Sequence, residues 1–156
     1  MNNKKPIKIV LFICLGLYAL EMISIIVTTV RQSEVYRIMG LPDKLPDSKI
    51  VPWASIISVV LRLIFAAIML VLVSAVKGRG LSAAGIAVGV GIIFLNLFAT
   101  YSSVIESVIS ARFGANQLAA LSTLNAYLAN IEAPANAIAG TGFIFACGMC
   151  VFAKSK

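Results

Sequence analysis

Four long apolar segments constrain this chain more than any other feature. A bilayer core about 30 Å thick needs roughly 20 helical residues to cross it. Segments 7–30, 53–76, 81–109 and 134–153 are apolar over at least that length. Only 12% of the 156 residues are charged and 60% are hydrophobic. This composition is too apolar for a soluble domain. The sequence therefore predicts one integral membrane domain, an all-α membrane protein with a four-transmembrane-helix bundle spanning residues 1–156.

The connections between these segments differ in character. Loop 31–52 holds three of the five prolines, and we expect an extended connection that follows the surface. Segment 115–131 repeats leucine and isoleucine at roughly helical spacing against six polar residues. We therefore expect an additional amphipathic outer helix between helices three and four, at the membrane interface or capping the bundle. Its length also allows a fifth span, which its polar residues disfavour.

Positive charges at the ends of the segments indicate an orientation. Seven cations fall on one side if four helices alternate: Lys4, Lys5, Lys8, Lys77, Arg79, Lys154 and Lys156. The positive-inside rule then places both termini in the cytoplasm of a multi-pass cell-membrane protein. The net charge of +7 does not indicate nucleic acid, because the cations flank apolar segments instead of clustering with aromatic residues.

Two charged residues lie within the apolar segments at matching depth. Glu21 is nine residues from Val30, and Arg62 is nine residues from Trp53. At about 1.5 Å per residue, both lie roughly 13–14 Å below the outer surface, near the midplane. An isolated charge there costs at least about 2.5–3.5 kcal/mol on insertion scales. We therefore expect Glu21 and Arg62 to pair across consecutive antiparallel helices.

Polar residues continue outward from this level at helical spacing on three helices. These are Glu21, Ser24 and Thr28; Ser55, Ser58 and Arg62; and Asn96, Thr100 and Ser103. Helix four adds Asn136 and Thr141. One hypothesis is hydrogen bonding between helices, the ordinary role of such residues in membranes. The other is a ligand or ion cavity that opens outward above a floor of Glu21, Arg62 and Asn96.

Small residues and thiols mark the opposite half of the bundle. Gly85 and Gly89 form a small-xxx-small pair, which predicts close helix packing within this chain or with another chain. Cys147 and Cys150 form a CxxC, a spacing used by redox pairs and metal sites. The chain has no histidine and no second CxxC, so we expect these thiols and Cys14 to pack as small apolar groups. No metal or cofactor is expected.

Three functions are open to such a chain. The first is a non-catalytic accessory or interaction subunit of a membrane complex, in contact with the lipid bilayer and with a protein partner or a second copy. The alternative is a small-solute or ion transporter that uses Glu21 and Arg62. A membrane enzyme is disfavoured, because histidine is absent and both aspartates, Asp43 and Asp47, lie in the first loop.

Overall fold

The computed structural model contains five helices in the part of the chain that it describes. The described residues are 4–40, 50–76, 79–110 and 115–152, with side chains described at 4–40, 50–76, 79–95, 97 and 119–152. The helices are α1 (Lys4–Val30), α2 (Gln32–Ile38), α3 (Trp53–Ala75), α4 (Arg79–Ser110) and α5 (Ala115–Phe152). Within these ranges there is no strand, as an all-α chain requires.

Three of these helices have the length and composition of membrane spans. They are α1, α3 and the Ala119–Phe152 part of α5. In α4 the described apolar stretch, Arg79–Leu95, is shorter than a span. A helix suits lipid because it satisfies its own backbone hydrogen bonds where water cannot. The chain is therefore a helical protein whose long helices suit a membrane.

Each long helix buries a narrow seam of residues. The buried positions of α1 and α3 alternate in steps of three and four residues. They are Ile7, Leu11, Cys14, Tyr18, Glu21, Ile25 and Thr28 on α1, and Val59, Arg62, Ala66, Met69 and Val73 on α3. This spacing is typical of helices that cross at small angles in bundles. Glu21 and Arg62 occupy seam positions, so their side chains point into the bundle.

The four long helices pack as a closed ring. Helix α1 packs against α3 and α5, and α4 packs against the same two helices. Lys4 Nζ donates to the carbonyl of Val76 over 2.7 Å, so α1 begins where α3 ends. Ser82 Oγ donates to the carbonyl of Val151 over 3.5 Å, so α4 begins where α5 ends. Consecutive long helices are therefore antiparallel, and one end of the bundle gathers the start of α1 and the end of α5.

Helix α5 differs from the expectation of two separate helices. The sequence predicts an outer helix over 115–131 and a span over 134–153, but one helix runs from Ala115 to Phe152 with Pro134 inside it. Proline removes one backbone hydrogen bond, and membrane helices tolerate this where neighbouring helices hold both flanks. Leu128 and Ala139, on either side of Pro134, are both fully buried. The apolar face of 119–131 therefore packs into the bundle.

The connection after α1 is also helical where an extended loop was expected. Helix α2 buries Gln32 and Tyr36. The Gln32 side-chain amide donates to the Ile50 carbonyl and accepts from the Ile50 N–H, which closes loop 31–52 near its end. The Tyr36 hydroxyl donates to the carbonyl of Ala120 on α5, and burial raises the pKa of this hydroxyl, which keeps its proton in place. Prolines fall later in the loop, so they do not prevent this short helix.

Glycines bring α4 close to α5. A Cβ at Gly85 would lie 2.8 Å from the backbone oxygen of Cys147 and 3.0 Å from the Cβ of Cys150. A Cβ at Gly89 would lie 3.4 Å from the Cβ of Cys147. Gly85 and Gly89 therefore face α5 of the same chain, and Gly85 has no room for a side chain.

We predict that Gly85→Ala destabilises the bundle while Gly16→Ala does not. At Gly85 the new methyl group meets backbone, so the free energy of unfolding should fall by about 1–3 kcal/mol. Gly16 has no atom within 4 Å of its would-be Cβ, and alanine favours a helix there. Unfolding in mixed detergent micelles, followed by circular dichroism, measures both variants. Equal stability of the two variants would show that α4 and α5 are not in close contact.

Candidate functional site

The candidate site is a hydrogen-bonded triangle of polar side chains from three helices. Arg62 Nη1 lies 3.3 Å from Glu21 Oε1, forming an ion pair between α3 and α1. Asn136 Nδ2 of α5 donates to the same Glu21 oxygen over 3.1 Å. Arg62 Nη1 also donates to Asn136 Oδ1. We call Glu21, Arg62 and Asn136 the polar network.

The two charged members of the polar network are enclosed within the bundle, while Asn136 is half-buried. The Glu21 side chain is 0% exposed and that of Arg62 is 7% exposed. An ion pair in such a place gains a strong mutual attraction, but each charge has lost its hydration. Asn136 offsets part of that cost by donating a hydrogen bond to Glu21 and accepting one from Arg62, because a buried charge needs its remaining hydrogen bonds made. The network therefore couples α1, α3 and α5 at one level.

Apolar layers cover the polar network on both sides. Toward α2, the layer is a cluster of four residues that are at most 1% exposed: Ile25, Val59, Leu124 and Leu128. Toward the start of α1 lies a larger cluster that includes Tyr18, Ala66 and Ala139. Each of those three residues is about one helical turn from a network residue on the same helix. The network thus lies between two apolar layers, in surroundings that resemble a protein core.

Some polar atoms next to the network have no hydrogen-bond partner among the described residues. These buried atoms are Glu21 Oε2, Arg62 Nε and Ser58 Oγ. Ser58 precedes Arg62 by four residues and lies on the same face of α3. Buried polar atoms without partners are uncommon in proteins, so each needs a physical explanation. These three atoms mark where the hydrogen bonding of the network is incomplete among the described residues.

A second carboxylate lies close to the network. Glu132 precedes Asn136 by one turn of α5, and its charge acts on Glu21. Glu132 was not predicted as a site residue, because it lies between the two separate helices that the sequence predicts, 115–131 and 134–153. The continuity of α5 through Pro134 is what brings Glu132 onto the same helix face as Asn136.

The other residues predicted to line a cavity differ in how deeply they are buried. Thr28 is buried in the α1 seam, while Ser24, Ser55 and Ser58 are half-buried. Thr141 on α5 is exposed and faces away from the network. The side chains of Asn96, Thr100 and Ser103 lie outside the part of the structure that is described. Asn136, which the sequence analysis left without a partner, is the third member of the network.

The three thiols lie in the larger apolar cluster. Cys14, Cys147 and Cys150 are free and buried. Cys14 Sγ donates to the carbonyl of Ala139 over 3.4 Å, which joins α1 to α5 one turn from the network. Among the described residues, no group of three potential ligands is arranged to hold a metal ion. The thiols act here as small packing groups.

Comparisons with known proteins found no relative of this chain. No family model matches the chain, and no curated protein or solved structure matches it significantly.

We predict that Arg62→Met destabilises the protein far more than the double change Glu21→Met with Arg62→Met. The single change leaves a buried carboxylate without its counter-charge, which typically costs about 3–5 kcal/mol of unfolding free energy. The double change removes both charges, and recovery is partial because Asn136 still lacks its partners. Unfolding in detergent micelles measures each variant.

The exposed Arg31–Glu34 pair supplies the control. Its atoms are 3.4 Å apart, but the two side chains are 66% and 53% exposed. Arg31→Met should therefore change stability by no more than about 1 kcal/mol. If the double variant were as unstable as Arg62→Met, the two charges would not stabilise each other.

Proposed function

We propose that this chain is a four-span membrane protein that serves as a non-catalytic accessory subunit of a membrane complex. The observation that carries the proposal is the enclosure of the polar network between two apolar layers. Charged groups that meet each other inside a packed bundle favour a fixed architecture over a site for substrate. Composition supports the non-catalytic role, since the chain has no histidine.

Helix length supports a partner-binding region outside the membrane. If Glu21 and Asn136 lie near the midplane, α1 reaches the outer boundary near Val30, after about 14 Å. Helix α5 extends about 32 Å from Asn136 to Ala115, roughly twice the half-thickness of the bilayer core. The contact between Tyr36 and Ala120 lies on this extension. We propose that α2 and the outer part of α5 form a helical surface that a partner subunit contacts.

The accessory role predicts a stable complex with another protein. After extraction in a mild detergent, native mass spectrometry of the endogenous protein should give a mass that is not a whole-number multiple of the chain's mass. Such a mass requires a second protein in the complex. Removing α2's anchor with Tyr36→Phe should reduce the fraction in the complex. Gly16→Ala, at an open position of α1 away from α2, should leave that fraction unchanged. A protein recovered only alone or with itself would contradict the proposal.

A transporter is the second candidate function. The observation that favours it is the set of unpartnered atoms Glu21 Oε2, Arg62 Nε and Ser58 Oγ beside a second carboxylate, Glu132. An intramembrane charge is a common component of ion and proton pathways. In this role Glu21 carries the coupling charge and Arg62 holds it, or holds a charged group of the substrate.

Access to the network from water distinguishes the two functions. In a background with alanine at Cys14, Cys147 and Cys150, single cysteines replace Ser58, Thr28 or Ser33. We expect a membrane-impermeant thiol reagent to modify Ser33→Cys, because Ser33 is exposed on α2. Ser58→Cys and Thr28→Cys should stay unmodified, because the Ser58 hydroxyl is buried and Thr28 is only 5% exposed. Modification of both would contradict enclosure and make transport the better-supported function.

A further inference from the structure

The charges of this chain are divided unequally along its sequence. The helix termini that gather at the start of α1 carry or adjoin seven lysines and arginines and no acidic residue. The rest of the chain holds six cations and all six acids, so its formal charge is zero. In the sequence, segments 4–8, 77–79 and 154–156 therefore account for the entire net charge of +7.

Four of these cations lie on described residues, and we call Lys4, Lys5, Lys8 and Arg79 the basic end. Lys4 is partly used within the fold, because its ammonium group donates to the carbonyl of Val76, the residue directly after α3. Lys5 and Arg79 are exposed, and Lys8 is half-buried. With no acidic residue nearby in the sequence to neutralise them, these charges can bind an external anion.

Exposed apolar side chains continue directly from the basic end. On α1, Lys5, Ile9 and Phe12 follow at steps of four and three residues, so they share one face of the helix. Ile9 and Phe12 are exposed, and so is Phe152 at the end of α5. A cation above an apolar stripe matches an amphiphile with an anionic head and a hydrocarbon tail.

We propose that the basic end binds phospholipids with anionic headgroups. Phosphate accepts hydrogen bonds from lysine and arginine, while the acyl chain lies along Ile9 and Phe12. An acidic protein would satisfy the cations but would leave this apolar stripe unmatched. The proposal is independent of the accessory or transport role, since none of its residues belongs to the polar network.

Spin-labelled lipids test this proposal on the full chain in phosphatidylcholine membranes. Electron paramagnetic resonance measures how strongly labelled phosphatidylglycerol is selected over labelled phosphatidylcholine at the protein surface. We expect selection of the anionic lipid by the unmodified protein, weakened by added salt. The double variant Lys5→Gln with Arg79→Gln should reduce the selectivity, by up to about fivefold for each cation removed. The charge reversal Lys5→Glu should reduce it further than Lys5→Gln alone.

The matched control removes two cations from the opposite end. Arg31 and Arg37 are exposed on and beside α2, so Arg31→Gln with Arg37→Gln makes the same change in net charge. This variant should keep the selectivity of the unmodified protein. Equal selection of both lipids by the unmodified protein, or an equal loss in the control variant, would overturn the proposal.

Discussion

The ion pair between Glu21 and Arg62 is the interaction on which the rest of the bundle depends. Lipid tails are as apolar as leucine, so apolar contacts alone distinguish weakly between one helix register and another. A charge near the membrane midplane is different, because leaving it unpaired costs several kcal/mol. Pairing requires α1 and α3 to meet at one level, and Asn136 adds α5 to the same level. The polar network thus joins three helices at one level.

Packing on either side of the network follows from those heights. Toward the start of α1, residues with small side chains allow close approach, as where Gly85 contacts the backbone of Cys147 on α5. Toward α2, aliphatic residues fill the space, with Ile25, Val59 and Leu128 all but fully buried. Polar residues at seam positions cost stability but specify register, a role well known in coiled coils. Glu21 and Arg62 occupy the equivalent positions in the seams of α1 and α3.

Some of this architecture could be predicted from the sequence, and the reasons for the failures are physical. Apolar length and depth along α1 and α3 were sufficient to predict the Glu21–Arg62 contact, because charges in lipid have few alternatives. The sequence could not show which apolar positions of each span form the buried seam, because lipid-facing and buried positions of a span are both apolar. In a sequence, Pro134 indicates a helix boundary, so Asn136 and Glu132 were assigned to different segments although one helix carries both. The short helix α2 was missed because Gly40 and the prolines beyond it dominate that loop.

The distribution of charge also explains how such helices tolerate polar residues. On insertion scales one central charge costs about 2.5–3.5 kcal/mol, while each leucine, isoleucine, valine or phenylalanine returns roughly 0.3–0.6 kcal/mol. The most apolar 18-residue stretch of α3 has a mean hydropathy of 2.9. Its apolar residues can therefore offset the cost of Arg62 without help from other helices. The corresponding mean hydropathy in α5 is only 1.7. Helix α5 also carries two polar residues, Glu132 and Asn136. Helix α5 therefore has the most to gain from partners already in place, and α1 and α3 supply them through Glu21 and Arg62.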